Sequence, residues 1–271
     1  MSDKLLLIND LAGYGKVALS AMIPVLSHMG FDLYNLPTAL VSNTLDYGKF
    51  DILETTDYMK NTISVWKELD FSFDSISTGF IVSQEQVKLV SDYCREQAKK
   101  GTKIFVDPIM GDDGELYNGI TEKTIEYMRD LCSVADYVLP NYTEAAFLSG
   151  NDIKETSISY RDGCNIIDKL RKTGAKSIIV TSMNIDDQMA VMGYDFNKDH
   201  YFMRPFECIP VRFPGTGDIF SAVMMGNVLS GETLETSVQR AMDYVKKLIE
   251  LNKDNKDKFK GIPIEACLHR I

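Results

Sequence analysis

The chain has 271 residues, 45% of them hydrophobic, and is therefore long enough to bury a substantial core. Its net charge of −10 argues against nucleic acid or an anionic membrane surface as the main partner. Five scattered cysteines without a CxxC pair indicate reduced thiols rather than a disulfide framework or a zinc site. Without a membrane-length apolar run or a signal-peptide pattern, we expect a cytoplasmic protein.

Short apolar segments alternate along the chain with longer segments of helical periodicity. The first part of the chain is predicted to form a strand over 4–9, a helix over 17–30, an extended segment over 33–42 and a long amphipathic segment around 51–69. The middle part is predicted to form strands over 73–80, 102–110, 135–141 and 176–182, with helices over 83–99, 120–132, 142–149 and 159–173 between them. Two neighbouring strands over 188–196 and 200–207 follow, and then helices over 217–229 and 233–252. The tail NKDNKDKFKG that follows is expected to be a solvated surface segment.

This alternation with short links predicts an α/β fold with a mainly parallel central sheet and helices on both faces. No Pro/Gly/Ser-rich linker divides the chain, which favours a single domain over 1–271. Ligands of such sheets bind at the carboxyl ends of the strands. Polar residues follow the apolar part of several predicted strands, so we expect a binding site at that edge.

The stretch PGTGDIFSA, residues 214–222, carries the strongest chemical signal. Gly215 and Gly217 stand where a helix begins, and the N–H groups of a first helical turn favour an anion. Asp218 follows at once, and as a simple helix-start acid it would need no further role. An acid beside an anion site is explained equally well if Asp218 takes a proton from an attacking hydroxyl while the turn holds a transferring phosphoryl group.

Other nucleotide-binding patterns are not met. The dinucleotide fingerprint fails because Phe220 stands at its last glycine position, and the sequence has neither a P-loop nor the protein-kinase signatures. The three histidines occur in no metal-ligand spacing. These absences leave the stretch at 214–222 as the main candidate for phosphate chemistry.

Two acids that follow predicted strands form a candidate magnesium site. Asp107 comes directly after one strand in VDPIMGDDGELY, and Glu144 follows another in PNYTEAAFL. Helix capping explains Glu144 well, because it lies three residues after Asn141 at a helix start. Its alternative role is to hold Mg²⁺ with Asp107, directly or through water.

In this order the motifs resemble the ribokinase-like superfamily and, within it, the pyridoxal (vitamin B6) kinases. The resemblance covers nearly the whole chain, from INDLAGYGKVALSAMIPVLSHMGF through LPTALVSNTLDYGKF, FDSISTGF, VDPIMGDDGELY, LPNYTEAAFLSG and VTS to GTGDIFSAV. It implies a ribokinase-like three-layer fold, a homodimer, and ATP- and Mg²⁺-dependent phosphorylation of pyridoxal, pyridoxine or pyridoxamine at the 5′-hydroxyl. It also allows a monovalent cation such as K⁺.

The resemblance also implies a role for individual residues. Asp218 would be the catalytic base, with Gly215, Thr216 and Gly217 as the anion hole; Asp107 and Glu144 would organise Mg²⁺; Asn141, Thr181 and Ser182 would contact ATP, with Tyr117 near the phosphates; and Asp10, Thr44 and Phe80 would contact the vitamer.

Asp10 departs from the family pattern, because many pyridoxal kinases have a serine there, close to the ring nitrogen. A carboxylate favours a protonated pyridinium by charge pairing, but sugar-type relatives often use an aspartate to bind hydroxyls. SNTLDYG also matches the family's usual SNHTGY only in part, which leaves the register of Thr44 open. The alternatives are therefore a hydroxymethylpyrimidine, sugar or nucleoside kinase, or a non-catalytic vitamer- or nucleotide-binding protein.

Overall fold

The computed structural model describes residues 3–117, 121–153 and 157–270. Its helices are α1 (Ala18–His28), α2 (Thr56–Glu68), α3 (Gln84–Ala98), α4 (Glu122–Cys132), α5 (Tyr142–Ser149), α6 (Tyr160–Arg171), α7 (Thr216–Leu229) and α8 (Leu234–Asn252). Its strands are β1 (Lys4–Tyr14), β2 (Asp32–Asn43), β3 (Ile52–Glu54), β4 (Ser75–Thr78), β5 (Lys103–Val106), β6 (Gly111–Asp112), β7 (Glu115–Leu116), β8 (Tyr137–Val138), β9 (Ser177–Ile185), β10 (Gln188–Asp195) and β11 (His200–Pro205).

The chain divides into two compact units. The first comprises Met1–Ile76 and Ile209–Ile271, and the second comprises Ser77–Cys208. In the first unit, β1 and β2 pair in parallel and β3 joins β2 antiparallel. In the second unit, β5, β8 and β9 pair in parallel, whereas β10 and β11 continue antiparallel. The predicted α/β class is confirmed, while the single domain over 1–271 stays a prediction.

Helices cover the strands of each unit. In the first unit α1 packs on β1 and against α7, which packs against α8. The four consecutive residues Leu5–Ile8 of β1 are fully buried. Because successive side chains of a strand point to opposite faces, both faces of β1 are covered there, as expected for strands of a three-layer fold.

Local signals explain where the helices begin. Ser83, Ser159 and Thr233 each precede a helix, and each side-chain oxygen accepts a hydrogen bond from the backbone N–H three residues later. Gly150 ends α5 in a left-handed conformation, with φ of 66°. The predicted bounds of α5 are confirmed. The first residue of the helix predicted over 120–132 lies outside the described residues.

Several predicted segments differ from the structure, three of them in ways that bear on the site or the tail. β1 continues to Tyr14, well beyond the apolar run over 4–9, because its ladder with β2 resumes after an irregularity. The amphipathic segment around 51–69 begins with the short edge strand β3 before α2. The tail over 252–261 is largely exposed but not merely solvated, since backbone groups of Phe259 and Lys260 accept hydrogen bonds from other segments.

Candidate active site

The first turn of α7 is built as predicted. Gly215 is the N-cap and has φ of 82°. A Cβ there would lie 2.1 Å from the Lys16 carbonyl oxygen, so only glycine fits this turn. A Cβ at Gly217 would meet nothing within 4 Å, which leaves open space beside the turn. The leading N–H groups of a helix lack acceptors within it, so the site offers the donors of an anion hole.

Asp218 lies in this first turn and is oriented from two sides. Its Oδ2 accepts the Ala18 backbone N–H at 2.8 Å, and its Oδ1 lies 3.5 Å from Asn9 Nδ2. Burial raises the pKa of Asp218 to about 6, against the opposing effect of these hydrogen bonds. The carboxylate is therefore mostly ionised at neutral pH, yet more basic than an ordinary aspartate, which suits a general base.

The groups that orient Asp218 carry little sequence signal. Ala18 has φ of 48°, a left-handed conformation that is uncommon for a residue with a side chain. The conformation brings its N–H to the carboxylate, an example of local strain at a polar site. In the sequence, Asn9 is only the polar residue that ends the apolar run over 4–9. The sequence therefore singles out Asp218 as a candidate base but not the two groups that orient it.

Asp10 lies inside β1 and is 8% exposed. It occupies the irregularity of the β1–β2 ladder, opposite Thr38 and Ala39. Burial raises the pKa of Asp10 to about 7, with a further contribution from the charge of Asp218. Near neutral pH the protonated and ionised forms are both populated. Asp10 can then donate a hydrogen bond to a ring nitrogen or accept one from a ring N–H.

Thr44 follows β2 and is 2% exposed. Its hydroxyl donates to the Phe259 carbonyl at 2.6 Å, and its backbone N–H donates to the Tyr14 carbonyl at 3.0 Å. The structure thus gives the hydroxyl a partner within the protein, although its lone pairs remain acceptors. The vitamer contact of Thr44 stays a prediction.

In the second unit, Asn141 and Glu144 form a capping box at the start of α5. Asn141 Oδ1 accepts the Glu144 N–H at 2.9 Å, and Glu144 Oε2 accepts the Asn141 N–H at 2.8 Å. The pair also holds the segment after β5, because Glu144 Oε1 accepts the Met110 N–H at 2.9 Å and Asn141 Nδ2 donates to the Gly111 carbonyl at 2.8 Å. Capping is therefore one confirmed role of Glu144.

The same carboxylate is electrostatically suited to a divalent cation. Glu144 is 3% exposed, and burial together with the nearby charge of Asp107 raises its pKa well above the usual range. A divalent cation would relieve this repulsion, beyond the partial relief given by backbone hydrogen bonds from Asn141, Met110 and Gly111. Among the described residues no three acidic, histidine or cysteine side chains cluster as a metal site. A two-carboxylate site completed by water fits Mg²⁺, which keeps several waters.

Thr181 and Ser182 lie in the middle of β9, not at its end. Both stand opposite the single residue Val191 of β10, and Ser182 has φ of 58°. Such a bulge redirects side chains and occurs often beside functional sites. The Thr181 N–H donates to the Pro140 carbonyl at 3.0 Å, and Thr181 forms an isolated parallel β-bridge with Asn141. The structure therefore brings Asn141 and Thr181, two of the predicted nucleotide contacts, next to each other.

Tyr117 and Phe80 are the two aromatic side chains among the predicted contacts. Tyr117 is 45% exposed, and its backbone N–H donates to the Met110 carbonyl at 2.8 Å. Residues 118–120, which follow it in the sequence, lie outside the described residues. Phe80 follows β4 and is partly exposed. Their predicted contacts with phosphate and vitamer stay predictions.

Comparisons with known proteins show the family and the fold of the chain. The family model described as phosphomethylpyrimidine kinase matches residues 21–262. One similar crystal structure is that of a Bacteroides thetaiotaomicron protein named as a predicted phosphomethylpyrimidine kinase, solved with pyridoxal. Its sequence is 32% identical to this chain. The two structures superpose with a TM-score of 0.94, covering 100% of this chain and 96% of that one. The same ribokinase-like fold is therefore present here.

Curated relatives carry two names. A pyridoxal kinase of Dictyostelium discoideum is 25% identical, with 97% of this chain and 90% of that protein covered. A hydroxymethylpyrimidine/phosphomethylpyrimidine kinase of Aquifex aeolicus is 28% identical, with 90% and 94% covered. Within the described ranges no helix is both long and apolar enough to cross a membrane. Both relatives are kinases named for a small heteroaromatic compound.

Proposed function

Because this chain belongs to the phosphomethylpyrimidine kinase family and, within the ribokinase-like superfamily, to the pyridoxal kinases, we propose that it transfers the γ-phosphoryl group of ATP to the 5′-hydroxyl of a B6 vitamer. The products are the vitamer 5′-phosphate and ADP. The observation that carries the proposal is the orientation of Asp218 in the first turn of α7 by the Ala18 N–H.

In the proposed transfer, Asp218 accepts the proton of the 5′-hydroxyl as its oxygen attacks the γ-phosphorus. The bond from that phosphorus to the bridging oxygen of ATP breaks, and ADP leaves. The N–H groups of Gly215, Thr216 and Gly217 stabilise the charge that develops on the transferring group. Catalysis is mostly positioning and charge stabilisation, as in other phosphoryl transfers.

Mg²⁺ would be held by Asp107 and Glu144, directly or through water. When bound it neutralises charge on the phosphates of ATP. The raised pKa of Glu144 supports this role, because a cation there would offset both its burial and its repulsion from Asp107. Glu144 also keeps the segment after β5 in place through Met110. A monovalent cation such as K⁺ remains a prediction of the resemblance.

The remaining predicted contacts divide between nucleotide and vitamer. Asn141, Thr181 and Ser182 are proposed to contact ATP, with Tyr117 near its phosphates. The bridge between Asn141 and Thr181, and the bulge that follows it, support this assignment. Asp10, Thr44 and Phe80 are proposed to contact the vitamer. Asp10 suits a ring nitrogen in either protonation state, because its pKa of about 7 lies near neutrality.

The second candidate substrate is hydroxymethylpyrimidine, which the family description and the Aquifex aeolicus relative favour. It shares a hydroxymethyl group and a ring nitrogen with the B6 vitamers, so the same base and anion hole could serve both. Asp10 is the residue most relevant to the choice, since it is the buried titratable group beside the base.

A substrate panel tests the proposed function. Purified protein is assayed for ADP formation with ATP, Mg²⁺ and pyridoxal, pyridoxine, pyridoxamine or hydroxymethylpyrimidine. We expect the highest kcat/KM with one of the three vitamers. Higher kcat/KM with hydroxymethylpyrimidine would instead assign the second candidate. Vitamer binding by folded protein without any ADP formation would contradict a kinase and indicate a binding protein.

A further inference from the structure

The chain after α8 is tied by its backbone to two loops of the first unit. The carbonyl of Phe259 accepts the Thr44 hydroxyl at 2.6 Å, and the carbonyl of Lys260 accepts the Lys16 N–H at 2.8 Å. We call residues 257–261 the C-terminal strap. Its side chains are largely exposed, so these ties come from its main chain and not from core burial.

Side chains of the strap strengthen the same two attachments. The Tyr47 hydroxyl donates to Asp257 Oδ2 at 2.6 Å, and the Tyr47 ring packs edge-on against Phe259 with centroids 5.6 Å apart. Lys260 Nζ lies 5.3 Å from the centre of the Tyr14 ring, within range of a cation–π contact. Five side chains of three segments thus meet at the strap.

Lys16 connects the strap to the anion turn. A Cβ at Gly261 would lie 2.9 Å from the Lys16 carbonyl oxygen, and a Cβ at Gly215 would lie 2.1 Å from the same atom. The Lys16 carbonyl therefore lies close to both a glycine of the strap and the N-cap glycine of α7, and leaves no room for a side chain at either. The Lys16 ammonium pairs with Glu265, which follows the strap. Two residues after Lys16, the Ala18 N–H donates to Asp218.

We propose that the C-terminal strap is a positioning element for phosphoryl transfer. By holding Lys16 it fixes the Gly215 turn on one side and the Ala18 N–H that orients Asp218 on the other. This role rests on the proposed function, because it acts through Asp218 and the anion hole. The strap residues are positioning residues and need not touch substrate.

The sharpest test compares two glycine-to-alanine variants. Gly261 and Gly231 have φ of 80° and 92°, so alanine strains both backbones in the same way. A Cβ at Gly261 meets Lys16, whereas a Cβ at Gly231 meets nothing within 4 Å. We expect Gly261→Ala to lower kcat with pyridoxal by about tenfold to a hundredfold, as expected for a misplaced catalytic group. Gly231→Ala should keep wild-type kcat.

The pH profile separates positioning from simple loss of stability. The Ala18 N–H lowers the pKa of Asp218, so a displaced Ala18 allows that pKa to rise. In Gly261→Ala the acidic limb of kcat should therefore move to higher pH, with KM for ATP unchanged. A variant that was only less stable would show wild-type kcat and a wild-type acidic limb at a temperature where it is folded.

A milder pair keeps the test decisive if Gly261→Ala does not fold. Tyr47→Phe removes the hydroxyl bonded to Asp257, and Tyr58→Phe removes that of an exposed tyrosine for which no hydrogen bond is seen among the described residues. We expect kcat to fall about twofold to tenfold in Tyr47→Phe only, as for one lost hydrogen bond.

Equal kcat and equal acidic limbs within each folded pair, in a chain whose wild type phosphorylates pyridoxal, would overturn the strap role alone. A wild type without turnover would instead contradict the proposed function, and the strap role with it.

Discussion

Asp218 shows opposing effects at the scale of one residue. Burial disfavours its charged form, while hydrogen bonds from Ala18 and Asn9 favour it. The balance leaves a pKa of about 6, which combines ionisation at neutral pH with useful basicity. Burial also raises the pKa of Asp10, to about 7, and the charge of Asp218 contributes to that shift.

The first prediction concerns the pH dependence of activity. Asp218 must be ionised to accept a proton, so kcat/KM should fall as the pH drops through about 6, by about tenfold per pH unit below it. Steady-state rates with pyridoxal from pH 5 to 8, with folding checked by circular dichroism, measure this limb. A flat profile over that range would remove Asp218 as the titrating base.

The second prediction concerns stability. The pKa of Asp218 is raised on folding, so its ionised form destabilises the native state above pH 6, and this penalty disappears as the pH falls towards 4. Asp218→Asn lacks the penalty. Its free energy of unfolding should exceed the wild-type value at pH 8 by about 1 to 3 kcal/mol and match it near pH 4.

Urea unfolding at both pH values measures the difference. The matched control is Asp254→Asn, an exposed acid for which no hydrogen bond is seen among the described residues, and it should leave stability unchanged. A wild type at least as stable as Asp218→Asn at pH 8 would show that burying the ionised Asp218 does not lower the free energy of unfolding.

At the scale of elements, a helix start combines structure and function. Asn141 caps α5 and is also proposed to contact ATP. We predict that Asn141→Ala lowers the free energy of unfolding by about 0.5 to 2 kcal/mol and raises KM for ATP more than KM for pyridoxal. Ser159→Ala removes the cap of α6 and should show the stability loss only. Equal KM values for ATP in the two variants would limit Asn141 to capping.

The elements also show what could be predicted from the sequence. Helix starts were predictable where a cap residue precedes an apolar pattern, as at Asn141 and Ser159. Strand ends were not, because an apolar run stops at its first polar residue while backbone pairing continues. For this reason Asp10, expected after a strand, and Thr181, expected near the end of one, lie inside β1 and β9 at register irregularities.

Contacts distant in sequence were beyond the pattern altogether. The strap, DKFKG, ends a tail rich in lysine, aspartate and asparagine, and composition predicts solvation for such a tail. Its attachments use backbone carbonyls, which no side-chain pattern reports. The left-handed backbone of Ala18, whose N–H orients Asp218, could not be predicted either, because it is also a backbone feature.

At the scale of the whole molecule, the order of motifs predicted the fold class and the family. The net charge of −10 does not prevent binding of anionic ATP, because the groups proposed to bind its phosphates are backbone N–H donors and a metal cation. The homodimer and the cytoplasmic location stay predictions. Light scattering of the purified chain measures the first, and a mass near twice 30.5 kDa would support it.

The most direct test of the central claim is the turnover of Asp218→Asn with pyridoxal, ATP and Mg²⁺. Asparagine keeps the size of the side chain and an oxygen for the Ala18 N–H, but it cannot accept the proton of the hydroxyl. We predict a folded protein whose kcat is lower by about a hundredfold to ten-thousandfold, the range for a positioned base. A variant that keeps near wild-type kcat would contradict the account.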